Sequence, residues 1–335
     1  MPKNRLLLIT PFVLLLLSSP VMAWWEGGHF LVANIAYDLL EEADREDIVN
    51  VLRKHPRWKQ DFLSAMPDDV RKADKSIQNR WIFMQAAVWP DVIRRTRPYD
   101  HPSWHYINQP FFPTETDKKA LEKLLDHNTK LELPANIPLN SDPQELNAVQ
   151  ALQLVRQRLA NKKISEERKA VYYCWLFHLV GDVHQPMHST SLFSRGRFPS
   201  DGGDRGGNGI PVKQRRNLHS LWDSLPGERL KINEVRGKTV RYLSAPGAKD
   251  MGKSAAKNLH FADWVQESHK LAKQHVYSEQ ILQEVRSKDA NPDQPLAKID
   301  LPETYLKNAG TIAQQRVVQA GYRLSALLKD IPKEE

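Results

Sequence analysis

Cysteine is almost missing from this chain: Cys174 is the only one among 335 residues. A single thiol closes no internal disulfide, so an exported protein of this kind must find its stability elsewhere, with bound metal as one candidate. With cysteine out as a ligand, a purely structural zinc also loses its usual donor. There is no N-x-S/T acceptor without an intervening proline, which fits a bacterial envelope or secreted protein better than a eukaryotic secretory one. Long alternating runs of apolar and polar residues are nearly absent, and beyond the first 23 residues no stretch is apolar enough to cross a bilayer. The glycine-rich segment DGGDRGGNGIPV lacks both the terminal Gly-Lys-Ser/Thr of a phosphate loop and the acidic ladder of an EF-hand. It reads as a loop at the rim of a cleft.

The chain opens with Lys3 and Arg5, an apolar run from Leu6 to Leu17, and the small-residue exit Val21-Met22-Ala23. That order is a secretory signal peptide, with cleavage expected after Ala23. Residues 24–335 are then expected to form one exported domain, periplasmic or secreted, that stays a monomer and is not inserted in a membrane. Taking Lys3 and Arg5 from the formal charge of +8 leaves +6, which favours polyanionic partners without choosing between nucleic acid and anionic lipid.

Apolar residues recur every three or four positions from Phe30 to Leu40, Arg80 to Arg95, Glu145 to Leu159, Glu166 to Leu179, Leu218 to Leu230, Ala255 to Val276 and Leu306 to Leu328. This periodicity predicts a mainly helical, all-α domain. Polar, proline-bearing connectors run from Asn128 to Pro143, Phe198 to Pro211 and Asp289 to Pro302, and read as loops within one domain. Lys231 to Leu243 is expected to hold a short strand or hairpin.

Histidine and aspartate are spaced for metal binding. In FHLVGDVHQPMH, His178 and Asp182 stand four apart on one helical face, and Pro186 should end the helix near Gln185, freeing His188 to approach from another direction. NLHSLWDS repeats the four-residue spacing with His219 and Asp223. Each pair alone suits an ordinary amphipathic helix; together with His188 they suggest a multinuclear site of nitrogen and oxygen donors, a set that suits zinc. Upstream, Asp91 in WPDVIRR and His105 in SWHYIN add two more donors. Asp68 and Asp69, in the similar PDDVR, compete for the acidic role but lack the nearby Trp-x-His context.

The ordered set WWEGGH, WPDVIR, WHYIN, HLVGDVHQPMH, GGNG and NLHSLWD resembles the zinc-dependent S1/P1 nucleases, which share a superfamily with bacterial zinc phospholipases C. The resemblance runs from Trp24 nearly to the C-terminus and implies a single-domain fold with three zinc ions at the base of a cleft. It assigns Asp91, His105, His178 and Asp182 to one zinc. Asp182 would bridge to a second ion held by His29 and by the free amine and carbonyl oxygen of Trp24, a ligand that cleavage after Ala23 creates. His188, His219 and Asp223 would hold the third. An α-amino group titrates near pH 8 and is readily deprotonated beside a cation.

The activity implied is hydrolysis of phosphodiesters in single-stranded RNA and DNA to 5′-phosphorylated products, with 3′-nucleotidase activity. A hydroxide held by the metals would attack phosphorus while the third ion stabilises the departing 3′-oxygen. Besides Asp91, the catalytic role falls on Arg94, which matches the family arginine that holds the phosphoryl group in the transition state. For substrate, Tyr106 has a stacking role or a core role open to it, and Asn208 a base-edge or a turn-forming one. Asn108 stands where fungal and plant members carry aspartate, which separates this chain from their base preference. His184 has no metal assigned and is expected to orient neighbouring ligands. His55, His101, His127, His260, His269 and His275 read as surface or structural histidines.

Two rival readings stand beside the nuclease. A zinc phospholipase C is disfavoured because those lipases, by the same comparison, end the last ligand pair with glutamate, whereas this chain has Asp223. A non-catalytic zinc- or nucleic-acid-binding envelope protein is disfavoured because the whole ligand set is present.

Overall fold

The computed structural model describes residues 24–123, 129–200 and 202–332. The expected signal peptide and His127 lie outside them. The helices, in chain order, are α1 (Glu26–Leu39), α2 (Glu42–Leu52), α3 (Asp68–Arg71), α4 (Lys75–Val92), α5 (Glu115–Leu121), α6 (Ala148–Leu159) and α7 (Glu166–Asp182). They continue with α8 (Leu218–Ser224), α9 (Ile232–Leu243), α10 (Ala248–Ala255), α11 (Phe261–Leu271), α12 (Glu279–Asp289) and α13 (Glu303–Asp330). Among the described residues the only strands are β1 (Gln109–Phe111) and β2 (Thr190–Leu192), paired in parallel with Gln109 opposite Thr190. The fold is all-α, and no described helix is long and apolar enough to cross a membrane.

Around the site the helices pack as a layered bundle: α1 lies against α13 and α4, and α7 against α4 and α6. Helix α1 is buried along nearly its whole length, from Gly27 to Tyr37. Its neighbour α7 is buried from Cys174 to its end at Asp182, apolar there but for His178 and Asp182, so these donors sit at the bottom of the bundle, away from water. Burying these apolar faces is the main source of stability, at roughly 25 cal/mol per Å² of apolar surface removed from water.

Local chemistry sets the ends of the site-bearing helices. The Asn217 side chain accepts from the amide of Ser220 while the Ser220 hydroxyl accepts from the amide of Asn217, a reciprocal cap that starts α8 one residue before the ligand pair begins. Past α8, Leu225-Pro226-Gly227 stops the helix, with Gly227 at φ +129°, a backbone closed to other residues. The expected helix from Leu218 to Leu230 is therefore cut to one ending at Ser224. Pro186 likewise separates α7 from a 3₁₀ turn, Pro186–His188, that carries His188.

One expectation is overturned. Residues 232–243 form helix α9, not a strand or hairpin. Val235, Thr239 and Val240 suggest extended backbone by propensity, but Ile232, Val235, Thr239 and Tyr242 repeat at helical spacing and are all buried. The Glu234 carboxylate accepts from the amide of Lys231 at 2.7 Å and starts the first turn. Tertiary burial of one face outweighs the weak β preference of three residues. The expected span from Ala255 to Val276 is also divided, because α10 stops at Ala255 and α11 begins at Phe261.

Candidate metal centre

Eight side chains from six segments converge on one buried region. His29 comes from α1, Asp91 from the last turn of α4, His105 from the 3₁₀ turn Pro102–His105, and His178 and Asp182 from α7. His188 follows Pro186, and α8 supplies His219 and Asp223. Three groups have their donor atoms within 4.8 Å of one another: His29, Asp91 and His178; His105, His178 and Asp182; and His188, His219 and Asp223.

His178 is common to the first two groups, and Asp182 of the second reaches His29 of the first. Asp182 Oδ2 lies 3.1 Å from His105 Nδ1 and 3.2 Å from His178 Nε2, while its Oδ1 lies 3.4 Å from His29 Nε2. His178 Nε2 is also 3.8 Å from Asp91 Oδ1, and the His29 and His178 rings stack at 4.1 Å. In the third group His219 Nε2 is 3.3 Å from Asp223 Oδ2 and His188 Nε2 is 4.0 Å from Asp223 Oδ1.

Backbone carbonyls fix how the imidazoles present themselves. The Nδ1 atoms of His178, His188 and His219 each lie 2.7 Å from a carbonyl oxygen, those of Ala87, His105 and Gly206 respectively. A carbonyl only accepts, so each Nδ1 carries the proton and each Nε2 turns a lone pair toward the cluster. His105 is reversed and enters through Nδ1. Pro90, inside α4, donates no N–H to the Ala86 carbonyl. The adjacent Ala87 carbonyl is the one that orients His178.

Metal fits this arrangement and neutral side chains alone do not. His188 Nε2 and His219 Nε2 stand 3.1 Å apart with their protons committed elsewhere, so two lone pairs face each other with no hydrogen between them. The same holds for His178 Nε2 at 2.9 Å from His105 Nδ1 unless His105 spends a proton there. Both ring nitrogens of His29, Asp182 Oδ1 and His105 Nε2 are buried without any hydrogen-bond partner. Buried polar atoms left unpaired are costly, and a cation shared among these donors removes the cost.

Charge balance points the same way. Burial holds His29, His105, His178 and His188 below the ordinary histidine range, so they stay neutral and able to coordinate. Burial also pushes Asp182 up to about 7 and raises Asp223 well above the usual carboxylate range, although Gln185 donates to Asp223 Oδ1 at 2.7 Å. Asp91 behaves oppositely: burial raises it, but the charges of His178 and Arg94 outweigh that and leave it lowered. Two carboxyls that resist ionisation, facing neutral imidazoles, form a centre short of positive charge.

The other sequence-derived residues are placed as follows. Arg94 donates to Asp91 through Nε and Nη2. Trp24 is fully buried and packed on Gly28, and the next amide, Trp25 N, donates to the Asp223 carbonyl at 3.2 Å, which holds the N-terminal segment against the third group. Tyr106 is 38% exposed, so it is not a core residue. Asn108 Oδ1 accepts from the Ser191 hydroxyl, and Asn208 bonds the Arg205 carbonyl and the Asn217 side chain, so Asn208 serves the loop. Asp68 is exposed on α3, whereas Asp91 is in the cluster. Among the histidines with no metal assigned, His55, His101 and His184 are buried.

Sequence reasoning missed Gln185, which holds Asp223 from the step between Asp182 and Pro186, and the pair Glu267 and Arg323 behind His184. The HQP step contained the first signal. The second pair is distant in sequence and carries none.

A buried His and Asp cluster able to hold metal in an all-α domain is the kind of site that metal-dependent hydrolases carry. The family model for S1/P1 nuclease matches residues 24–333, and the chain belongs to that family. It is similar to Endonuclease 1 of Arabidopsis thaliana, at 26% identity over 344 residues covering 98% of this chain and 93% of the relative. Endonuclease 5 of the same plant is 23% identical over 98% of this chain and 96% of its own length. Nuclease S1 of Aspergillus oryzae (strain ATCC 42149 / RIB 40) is 27% identical over 46% of this chain and 52% of its own. The protein is an endonuclease, a hydrolase of phosphodiester bonds in nucleic acid.

Proposed function

We propose that this chain is an exported, monomeric, zinc-dependent endonuclease of single-stranded RNA and DNA that leaves 5′-phosphorylated ends and also removes 3′-phosphates from nucleotides. The observation that carries the metal dependence is the facing pair His188 Nε2 and His219 Nε2, 3.1 Å apart with both protons committed to carbonyls. Nitrogen and carboxylate donors without cysteine suit zinc. Asp91, His105, His178 and Asp182 would hold one ion, and His188, His219 and Asp223 another. Asp182, His29 and the amine and carbonyl of Trp24 would hold the third, the amine being free only after cleavage behind Ala23.

Bound zinc would supply a water that ionises near neutral pH and positive charge for the phosphoryl and departing oxygens. The residues of the chain do the rest. His178, His188 and His219 keep their Nδ1 protons on carbonyls, so each Nε2 stays a fixed donor and no reorganisation is needed during turnover. Arg94, planar and permanently charged, would leave Asp91 for a non-bridging phosphoryl oxygen as charge builds there. Tyr106, exposed beside His105, would stack on a base, and a single strand exposes its bases for that contact.

The test is release of acid-soluble nucleotides from single-stranded RNA and DNA by zinc-loaded protein beginning at Trp24, beside His219→Ala and a chelator-treated sample. Hydrolysis lost in both controls is the expected result. Failure of the zinc-loaded sample to cut either polymer would move the substrate to another phosphoester.

A further inference from the structure

The glycine-rich segment 202–209 has no part in the chemistry proposed above, yet one of its carbonyls touches a ligand. Gly206 O accepts from His219 Nδ1 at 2.7 Å and so turns His219 Nε2 toward His188 and Asp223. Such a carbonyl is only as well placed as the loop that bears it. Gly202, Gly203, Arg205, Gly206 and Gly207 all have positive φ, along a path with no helix or strand of its own. Gly206 lies so close to the chain beside His188 that a Cβ on it would stand 2.4 Å from the Met187 carbonyl oxygen.

Asp204 holds this loop in place. It clasps one residue of β2: the Asp204 amide donates to the Leu192 carbonyl and the Leu192 amide donates to Asp204 Oδ1, both at 2.9 Å. The other carboxylate oxygen, Oδ2, accepts from the hydroxyl of Tyr277, between α11 and α12, at 2.9 Å. The Asp204 carbonyl closes the loop by accepting from the Gly209 amide at 2.8 Å. Next to Leu192, the Ser191 hydroxyl accepts from the Gly206 amide at 3.1 Å and donates to Asn108. Asp204, Ser191 and Leu192 are fully buried, so water does not compete for these bonds.

Strand β2 begins two residues after His188. Asp204 thus ties the carbonyl that orients His219 to the strand that continues from His188, and the two imidazoles meet with their Nε2 atoms 3.1 Å apart. We infer that Asp204 is a positioning residue for the group of His188, His219 and Asp223. It acts through the backbone of the glycine-rich loop, which it fixes on β2 so that Gly206 keeps His219 Nε2 turned toward the other two donors.

This rests on metal binding by that group and not on the nature of the substrate, so the test reads bound zinc. Chelator-stripped protein beginning at Trp24 is dialysed against a series of buffered free-zinc concentrations, and the ions bound per chain are counted. Asp204→Ala is expected to weaken one ion roughly 10- to 100-fold, the usual effect of losing a group that orients a ligand, and to leave the others on the wild-type curve. The ion affected should be the one that His219→Ala removes, so Asp204→Ala added to His219→Ala should shift nothing further. Asp204→Asn should restore the wild-type curve. Burial raises Asp204 to about 7, so a neutral group is a close stand-in there. The amide keeps an oxygen for Leu192 and turns an N–H to the Tyr277 oxygen.

Weakening of every ion alike, weakening of none, a further shift in the double variant, or failure of Asp204→Asn to restore binding overturns the inference with the metal centre still standing. Should Asp204→Ala not fold, Tyr277→Phe, which removes one of the two side-chain anchors, decides by the same titration. A fall confined to the His219 ion supports the assignment, and an unchanged curve or a general fall overturns it. Wild-type protein that takes up no zinc at any concentration brings down the metal reading, and this assignment with it.

Discussion

Arg94 donates two hydrogen bonds to one oxygen of Asp91, from Nε at 2.9 Å and from Nη2 at 2.7 Å. The pair is i, i+3 at the end of α4, and both side chains are largely buried. A metal bound by the Asp91 carboxylate would leave the guanidinium beside the cluster with its fork free for a phosphoryl group. Arg94→Lys keeps the charge and loses the fork, so kcat on a single-stranded substrate should fall about 10²-fold, in the range seen for loss of one transition-state donor. Metal content measured in parallel should stay at the wild-type value, because Asp91 gains access to its ion when the arginine is gone. A fall in bound metal equal to the fall in rate would make Arg94 a structural partner of Asp91 and nothing more.

Metal removal should change the pH dependence of stability, and the sign follows from Asp182. In the metal-free fold burial lifts it from an ordinary 3.8 to about 7. A carboxyl raised in the folded state stabilises that state below its unfolded pKa and loses the contribution as pH rises through the folded one. In metal-free protein Asp182 therefore takes stability away as pH rises toward 7, while the four depressed histidines add it as pH rises toward 6.5, so the Asp182 share is read as the difference from Asp182→Asn. Metal-loaded protein, whose carboxylates must be ionised to coordinate, should gain as pH rises and protons cease to compete. The difference in Tm between zinc-loaded and chelator-treated samples should widen with pH. A constant difference from pH 5 to 8 would show that Asp182 does not carry the linkage.

The all-α class and the convergence of the candidate donors were legible in the sequence, and the bounds of single elements were less so. The pairs His178 and Asp182, and His219 and Asp223, could be read because a helix brings residues four apart onto one face, a rule that needs only local backbone. Pro186 announced the turn that redirects His188 for the same reason. Asp91 and His105 stood out as donors from their own motifs, but only the resemblance joined them to the α7 pair, since no local rule links α4 to a 3₁₀ turn. Helix α9 was misread because three β-branched residues speak for themselves locally, while the buried face that decides the matter is made by α1 and α13. The partners of His184 could not be seen at all: Arg323 lies 139 residues away in sequence.

Those partners carry a stability prediction. Arg323 donates to His184 Nε2 at 2.8 Å and to both oxygens of Glu267 at 2.7 Å, and Arg316 donates to Glu267 and to the His184 carbonyl. Both arginines are 2% exposed. Removing the Glu267 charge leaves two buried guanidinium groups facing each other, which should cost about 2–3 kcal/mol once the partial exposure of Glu267 is allowed for. Burial raises the Glu267 pKa, but Arg323 and Arg316 outweigh it and leave it lowered. Its stabilising contribution is thus present above the ordinary 4.5 and disappears as pH falls through the folded value. Urea unfolding should find Glu267→Gln weaker than wild type at pH 7, with the gap closing below pH 4. A gap that stays open in acid would assign the loss to packing.

Gly181 offers a way to disturb one group of ligands and leave the rest of the fold alone. It sits one residue before Asp182, and a Cβ placed on it would come within 2.6 Å of His29 Nδ1 and 2.9 Å of its Cε1. Real Cβ atoms do not make such contacts, so Gly181→Ala must push the His29 ring off its stack on His178, 4.1 Å away. His29 belongs to the group with Asp91 and His178, and takes no part in the group of His188, His219 and Asp223. The helix itself favours alanine over glycine by up to about 1 kcal/mol, which offsets part of the steric cost and should keep the chain folded. Metal analysis of the purified variant should then show one ion fewer per chain than wild type, with helical circular dichroism unchanged. Loss of every ion at once would mean that the groups assemble as a unit, and full retention would place His29 outside the metal centre.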